Sequence, residues 1–459
     1  MPHLAILGAG PAGYVAAIRA RQLGAEVTLV EMDALGGTCL NRGCIPSKAL
    51  LRSAEVAQLA QGMGEFGVRA EYQGIDWPQV INRKNRVVRQ VVKGVEYLMG
   101  QNDIRVVGGR GRLADPKTIL VDTEAGEERI AADAVVLATG SVPARLPLPG
   151  MDGPGVITSS EMLDIEEIPG SLAIIGAGYV GVEFADVFNA VGSKVSIIEM
   201  MPQIVPTEDP EVSAELARAF RRRKIETHVN ARVTEVVEKE GKRLVRFTKD
   251  EQEQEVEADV VLSAVGRWPN AQNIGLDEVG VEMDGRAIKV NGRMETSIPG
   301  LYACGDAVGG IMLAHVGSAE GKVAVANALG HEAEMDYTAI PSVTYTHPEI
   351  GSVGLNEGQA RERGVAVKVG KFFFRGAGKA TAEGSREGLV KVVVDADSGK
   401  VIGGQICGLH ATDLIHELVL AVHVGATAAQ IAEMVHAHPT LMEPIMEAAE
   451  DALGRAIHK

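Results

Sequence analysis

An α/β protein with two doubly wound, Rossmann-like domains and a C-terminal α+β domain on an antiparallel sheet is predicted by three features of the chain. A phrase built of an apolar strand, G-x-G-x-x-G, a helical stretch and a second strand ending in Glu occurs twice, 168 positions apart. Two further apolar runs, at residues 134–140 and 260–267, read as buried parallel strands that end in glycine turns. From about Tyr337 the pattern changes to alternating strands near 389–394 and 401–406, followed by helices after Thr412, Ala428 and Glu443. At 459 residues the chain has room for about three domains.

The first copy of the phrase runs through residues 4–7 into Gly8, Gly10 and Gly13, and its second strand closes on Glu31. Glycines at this spacing allow a tight turn and the close approach of a pyrophosphate to a helix N-terminus, while the acid receives the ribose hydroxyls. The second copy repeats this with Gly176, Gly178, Gly181 and Glu199. Two dinucleotide sites are therefore expected. Glu199 is followed by Met200, Met201 and Pro202, with no arginine before Pro210 to meet a 2′-phosphate, so the second site is read as binding NAD and not NADP.

Between the two strands and the next helix stands Gly36-Gly37-Thr38-Cys39-Leu40-Asn41-Arg42-Gly43-Cys44-Ile45-Pro46-Ser47-Lys48. Five regular helical steps separate Cα atoms by about 7.5 Å, more than the ~7 Å a disulfide spans, so a bridge between Cys39 and Cys44 requires a broken helix entry. Gly43 and Pro46 supply the means. A helix N-terminus there favours a thiolate, so the pair is read as a reducible redox disulfide. Further on, a helical pattern covers 77–99 and short strands cover 104–121. Pro143, Pro147, Pro149 and Gly150 mark a crossing, which gives expected divisions at 1–145, 146–268, 269–336 and 337–459, the first and third forming one unit.

Lys and Arg number 45 against 61 Asp and Glu, for a net charge of −16, which argues against nucleic acid as a partner. No apolar run reaches the ~18 residues of a membrane span, and the four cysteines suit a reducing, cytoplasmic setting. Gly accounts for 54 residues, above the ~7% norm, as expected of many tight turns and close ligand approaches. Cys304 and Cys407 fall in apolar strand-like runs and are expected to be buried and inert. The spacings of His410, His416 and His423 do not fit a helical ligand pair, so no metal is expected.

Taken together these landmarks resemble the pyridine nucleotide-disulfide oxidoreductases, and the likeness spans the whole chain. The 36–48 string resembles the family's redox motif, 296–306 its second flavin motif, and His436-Ala437-His438-Pro439-Thr440 with Glu443 its C-terminal active-site motif. The C-terminal string and Glu199 are closer to the dihydrolipoamide dehydrogenase branch than to the glutathione reductases. Met442, and Tyr179 in the second fingerprint, depart from that branch. The resemblance implies FAD held by Gly8, Gly10, Gly13, Glu31, Thr38, Lys48, Thr139, Gly140 and Asp306, and NAD held by Gly176, Gly178, Gly181, Glu199 and Gly266. It makes Cys44 the thiolate facing the flavin and Cys39 the residue that exchanges with substrate, with Lys48 and Glu183 paired beside the ring. His438, oriented by Glu443, becomes the acid/base and reaches the site of the partner subunit in a homodimer. Histidine suits that role, because thiolate formation near neutral pH needs a base of matching pKa. The implied reaction is oxidation of protein-bound dihydrolipoamide with reduction of NAD+. The implied partner is a lipoyl-bearing protein of a 2-oxoacid dehydrogenase or glycine cleavage complex. A reductase of another small disulfide, such as glutathione disulfide, is the enzymatic alternative, and a non-catalytic nucleotide-binding scaffold the other.

Overall fold

In the computed structural model, which describes residues 1–459, the repeat read from the sequence becomes a repeat of backbone. Strands His3–Leu7 and Ser171–Ile175, helices Pro11–Gln22 and Tyr179–Ala190, and strands Glu26–Glu31 and Lys194–Ile198 begin, pair by pair, the same 168 positions apart. Each copy nucleates a five-stranded parallel sheet. The first has the order Leu301–Ala303, Ala134–Leu137, His3–Leu7, Glu26–Glu31, Arg105–Gly108. The second runs Glu226–His228, Lys194–Ile198, Ser171–Ile175, Val260–Ser263, Val156–Thr158. Helices cover the central strands, and Leu4, Ala5, Ile6, Leu172, Ala173 and Ile174 are almost wholly removed from water, which is why these strands read as unbroken apolar runs.

Strand Leu301–Ala303 returns the chain to the first sheet beside Ala134–Leu137 after the whole second sheet has formed. The proline-rich crossing begins at Pro143, the end of one arm of a two-stranded ribbon, Ser141–Pro143 against Arg267–Pro269, so the chain leaves and re-enters the first unit side by side. From Pro341 an antiparallel sheet is laid down in the order Pro341–Thr344, Glu349–Gly354, Val401–Gly408, Leu389–Asp395, Val367–Phe373. Helices Ala411–Val424 and Glu443–Ala452 cover it with an apolar layer that includes Leu414, Ile415, Leu418, Ile445 and Ala448. Two three-stranded antiparallel sheets, spanning 110–131 and 231–258, complete the fold.

One packing contact positions the site. Helix Cys44–Gly62 of the first unit lies against Tyr179–Ala190 of the second, with Leu50, Leu51 and Ala54 sharing a buried cluster with Val182, Phe184, Ala185 and Phe188. Trp77 packs against Phe188, its ring tilted by 53° at 5.6 Å between centroids, and donates its indole N–H to the Ile165 carbonyl at 2.9 Å. The first unit's redox segment is thereby held against the second unit's nucleotide-loop helix.

Candidate active site

The two glycine loops show which of their residues protein packing demands and which it does not. Gly8 and Gly176 take φ of +104° and +100°, and a Cβ at either would strike a carbonyl oxygen of the neighbouring strand turn, Ala138 O at 2.3 Å or Ala264 O at 2.5 Å. Gly13 and Gly181 press on the carbonyls of Gly8 and Gly176 at 1.8 and 2.1 Å from their ideal Cβ positions. Gly10 has nothing nearer than 4.0 Å and Gly178 nothing within 4 Å. The middle glycines serve no internal contact; they leave space at a helix N-terminus, as a pyrophosphate requires. Beyond them, Glu31 accepts from Ala9 N–H at 2.7 Å and Asp33 N–H at 2.9 Å, and Glu199 from Ala177 N–H at 2.6 Å and Met201 N–H at 2.8 Å. Each acid is thus locked onto its own loop. Burial pushes the Glu31 carboxyl up despite those amides.

A cleft of about 440 Å³ joins the first loop to the redox segment. Its walls include Gly8, Gly10, Glu31, Thr38, Cys39, Cys44, Lys48, Thr139, Gly140 and Asp306, together with Tyr179 and Glu183 from the second unit. Thr139 Oγ1 is buried there without a hydrogen-bond partner, a group left for a ligand to satisfy. These residues fit a dinucleotide with a tricyclic head against the cysteines. Gly13 is not among the wall residues, nor are Gly176, Gly178 and Gly181 of the second loop, Glu199 after strand Lys194–Ile198 or Gly266 after strand Val260–Ser263; the second unit borders the cleft through residues that include Tyr179 and Val180.

Helix Gly37–Arg42 stops at Gly43, whose ψ of −110° breaks the run, and helix Cys44–Gly62 starts afresh. A Cβ on Gly43 would lie 3.0 Å from the Thr38 carbonyl, so the break needs glycine. The expected irregular entry is present. Cys44 is exposed to the cleft and Cys39 is half-buried beside it. The hydrogen bond from Cys39 lowers the Cys44 pKa to about 7; burial and Glu183 oppose this, and Lys48 and the helix amide assist. The same hydrogen bond pushes Cys39 up, as does burial. The pair's first proton therefore leaves Cys44, one turn before Lys48 at the start of a 19-residue helix.

Lys48 and Glu183, read separately in the sequence, meet at 2.8 Å. Burial disfavours the Lys48 charge, but Glu183 and the Cys44 thiolate outweigh it and raise its pKa. Sequence reading missed three companions. Lys48 Nζ sits 4.4 Å over the Tyr345 ring, and Arg267 donates to Ser141 Oγ and Ser141 O at 2.7 Å each while Ser141 donates to Asp306. Arg267 and Ser141 follow the glycines 266 and 140, which was the available signal; Tyr345 had none.

His438 and Glu443 are apart from this cleft in the single chain. Glu443 Oε1 lies 2.8 Å from His438 Nδ1 and its Oε2 accepts from Thr440 N–H at 3.0 Å. Burial opposes the Glu443 charge, yet these partners hold its pKa below the usual range. With Nδ1–H on the carboxylate, His438 Nε2 is left for proton exchange, and the side chain is 77% exposed. His436, by contrast, has its side chain 4% exposed and is tied to Glu417 at 3.1 Å. Cys304 and Cys407 are fully buried, and burial pushes both thiols up, which makes them inert.

Family comparison matches residues 2–321 to the pyridine nucleotide-disulphide oxidoreductase model and residues 340–449 to the dimerisation domain of the same family. The chain belongs to the pyridine nucleotide-disulphide oxidoreductases. Among curated members of that family it is 42% identical over 456 residues to a dihydrolipoyl dehydrogenase of Chlamydia muridarum, covering 99% of this chain and 97% of that one. It is 38% identical over 457 residues to one of Bacillus subtilis, covering 99% of each. Among solved structures, LpdA of Mycobacterium tuberculosis superposes with a TM-score of 0.91 at 28% identity, covering 98% of this chain and 99% of that one. The fold class and the family read from the sequence both stand, and no helix is long and apolar enough to cross a membrane.

Proposed function

We propose that this pyridine nucleotide-disulphide oxidoreductase is a homodimeric dihydrolipoyl dehydrogenase that oxidises protein-bound dihydrolipoamide to lipoamide and reduces NAD+ to NADH. The observation that carries the reading is the Cys39–Cys44 pair, with its lowered thiol at a helix start beside Lys48 in a cleft shaped for a dinucleotide. Full-length identity near 40% to curated dihydrolipoyl dehydrogenases supports it.

In the oxidised enzyme the substrate's first thiol, deprotonated by His438 of the partner subunit, attacks Cys39 Sγ. The Cys39–Cys44 bond breaks, a substrate–Cys39 disulfide forms and Cys44 leaves as a thiolate. The substrate's second thiol then displaces Cys39, so lipoamide is released and the cysteine pair holds two electrons. Lys48, steadied by Glu183, keeps the Cys44 charge at the cleft wall. Bound FAD supplies the conduit by which that electron pair reaches NAD+. Glu199, with no cation following it, suits the free ribose hydroxyls of NAD+ and repels a 2′-phosphate. The partner expected is a lipoyl-bearing protein of a 2-oxoacid dehydrogenase or glycine cleavage complex, and the cytoplasm is the setting where an NAD+ pool and a reducible cysteine pair coexist.

A substrate panel tests this reading. Purified holoenzyme is assayed with dihydrolipoamide and NAD+ or NADP+, and with glutathione disulfide and NADH or NADPH. The expected result is turnover confined to dihydrolipoamide with a strong preference for NAD+. Faster turnover of glutathione disulfide, or preference for the 2′-phosphorylated nucleotide, would replace it with the small-disulfide reductase.

A further inference from the structure

We propose that Asp186, together with His347 and Arg223, is a positioning cluster that clamps segment 345–347 onto helix Tyr179–Ala190 and so fixes where the Glu183–Lys48 pair stands beside Cys44. This rests on the reading above that Cys44 is the working thiolate.

Glu183 and Asp186 are one turn apart on that helix, on the same face. Each accepts a main-chain N–H from one of two residues in the bend that links strands Pro341–Thr344 and Glu349–Gly354 of the antiparallel sheet. Tyr345 N–H donates to Glu183 Oε1 at 3.1 Å, and His347 N–H donates to Asp186 Oδ2 at 2.6 Å. Two bonds made two residues apart on the bend, to acids one turn apart on the helix, fix both the distance and the rotation of the segment. The second bond is reinforced on three sides. His347 Nδ1 lies 3.0 Å from Asp186 Oδ2, Arg223 pairs with Asp186 Oδ1, and Arg223 also donates to the His347 carbonyl at 3.3 Å. Asp186 is 1% exposed, so its charge is committed to these partners.

The consequence falls on Lys48. With segment 345–347 clamped, Glu183 holds Lys48 by both oxygens at 3.0 and 2.8 Å, and the Tyr345 ring faces the ammonium. The charged or titratable groups that act on Cys44 are Cys39, Lys48 and Glu183, with Tyr179 also close by; those acting on Lys48 are Glu183, Cys44 and Tyr345. Asp186, His347 and Arg223 touch none of the reacting atoms. Their influence passes through Glu183 and Tyr345.

The test is the pH midpoint of the long-wavelength thiolate–flavin absorbance in holoenzyme reduced anaerobically with dithiothreitol, measured alongside thermal melting. His347→Ala and Asp186→Asn should move the midpoint upward by about one pH unit, because Lys48 is no longer held against Cys44. His347→Asn, whose amide reaches the Nδ1 position, should restore it. Lys391→Met is the control. That lysine is 3% exposed and paired with Asp209, Glu211 and Glu357, so its loss weakens another contact between the second unit and the antiparallel-sheet region. It should lower the melting temperature and leave the midpoint in place. A midpoint unmoved in His347→Ala, or moved equally by Lys391→Met, overturns the clamp. If Asp186→Asn does not fold, His347→Ala, at a side chain one-third exposed, decides alone. Absence of the band in the unaltered enzyme at every pH would instead overturn the role of Cys44.

Discussion

Cys44→Ser is expected to lower dihydrolipoamide oxidation by about 10⁴-fold or more while the purified protein stays yellow. A serine hydroxyl neither forms the internal bridge nor ionises near neutral pH, so neither the receiving bond nor the thiolate exists. Cys39→Ser should cost as much, and the double variant no more than either alone, because the two sulfurs act as one unit. The single variants differ in colour. Cys39→Ser keeps Cys44 beside Lys48 and should show long-wavelength absorbance before any reductant is added, whereas Cys44→Ser should never show it. Neither change touches the glycine loops or Glu31, so FAD content, read from the flavin absorbance of the purified protein, should stay near one per chain. Substantial turnover in either single variant contradicts the assignment.

The second large effect is expected at His438. Its Nδ1 is held by Glu443, its side chain is exposed and it stands outside the cleft of its own chain, which suits the proposed role of base toward a partner's substrate. His438→Ala should slow the thiol half-reaction by about 10² to 10⁴-fold, the usual worth of a positioned proton acceptor. Reduction of the enzyme by NADH, which needs no base at that face, should be slowed far less. Stopped-flow measurement of the two half-reactions separates them, and equal slowing would remove His438 from its role. Glu443→Gln should give a smaller loss of the same kind, since an amide still accepts from Nδ1–H but does not steady the imidazolium.

Much of this was legible in residues. The 168-position repeat predicted two parallel sheets whose strands and helices begin at matching positions, because close-packed βα turns dictate glycine wherever a Cβ has no room. Gly43 announced the broken helix at the cysteines for a similar reason. What the sequence could not convey is which distant side chains meet. Arg267, Ser141 and Asp306 converge only because a two-stranded ribbon returns the chain beside its own exit, and Tyr345 reaches Lys48 across nearly 300 residues. His436 and His438 look equivalent in the motif, yet one is packed against Glu417 and the other faces solvent. The small antiparallel sheets at 110–131 and 231–258 were harder still. Strand Gln252–Ala258 is charged and mostly exposed, and is held by pairing with its neighbour more than by burial.

The most direct measurement is an anaerobic titration of the yellow holoenzyme with dihydrolipoamide at several pH values. One equivalent should raise a long-wavelength thiolate–flavin band, without bleaching the flavin. Because the Cys44 pKa is lowered by Cys39 and Lys48, the thiolate and its band should persist at pH values where an ordinary thiol is protonated, and the band should fade as the pH falls through that lowered pKa. Reduction that bleaches the flavin with no such band at pH 8 would contradict a Cys44 thiolate at the centre of the reaction.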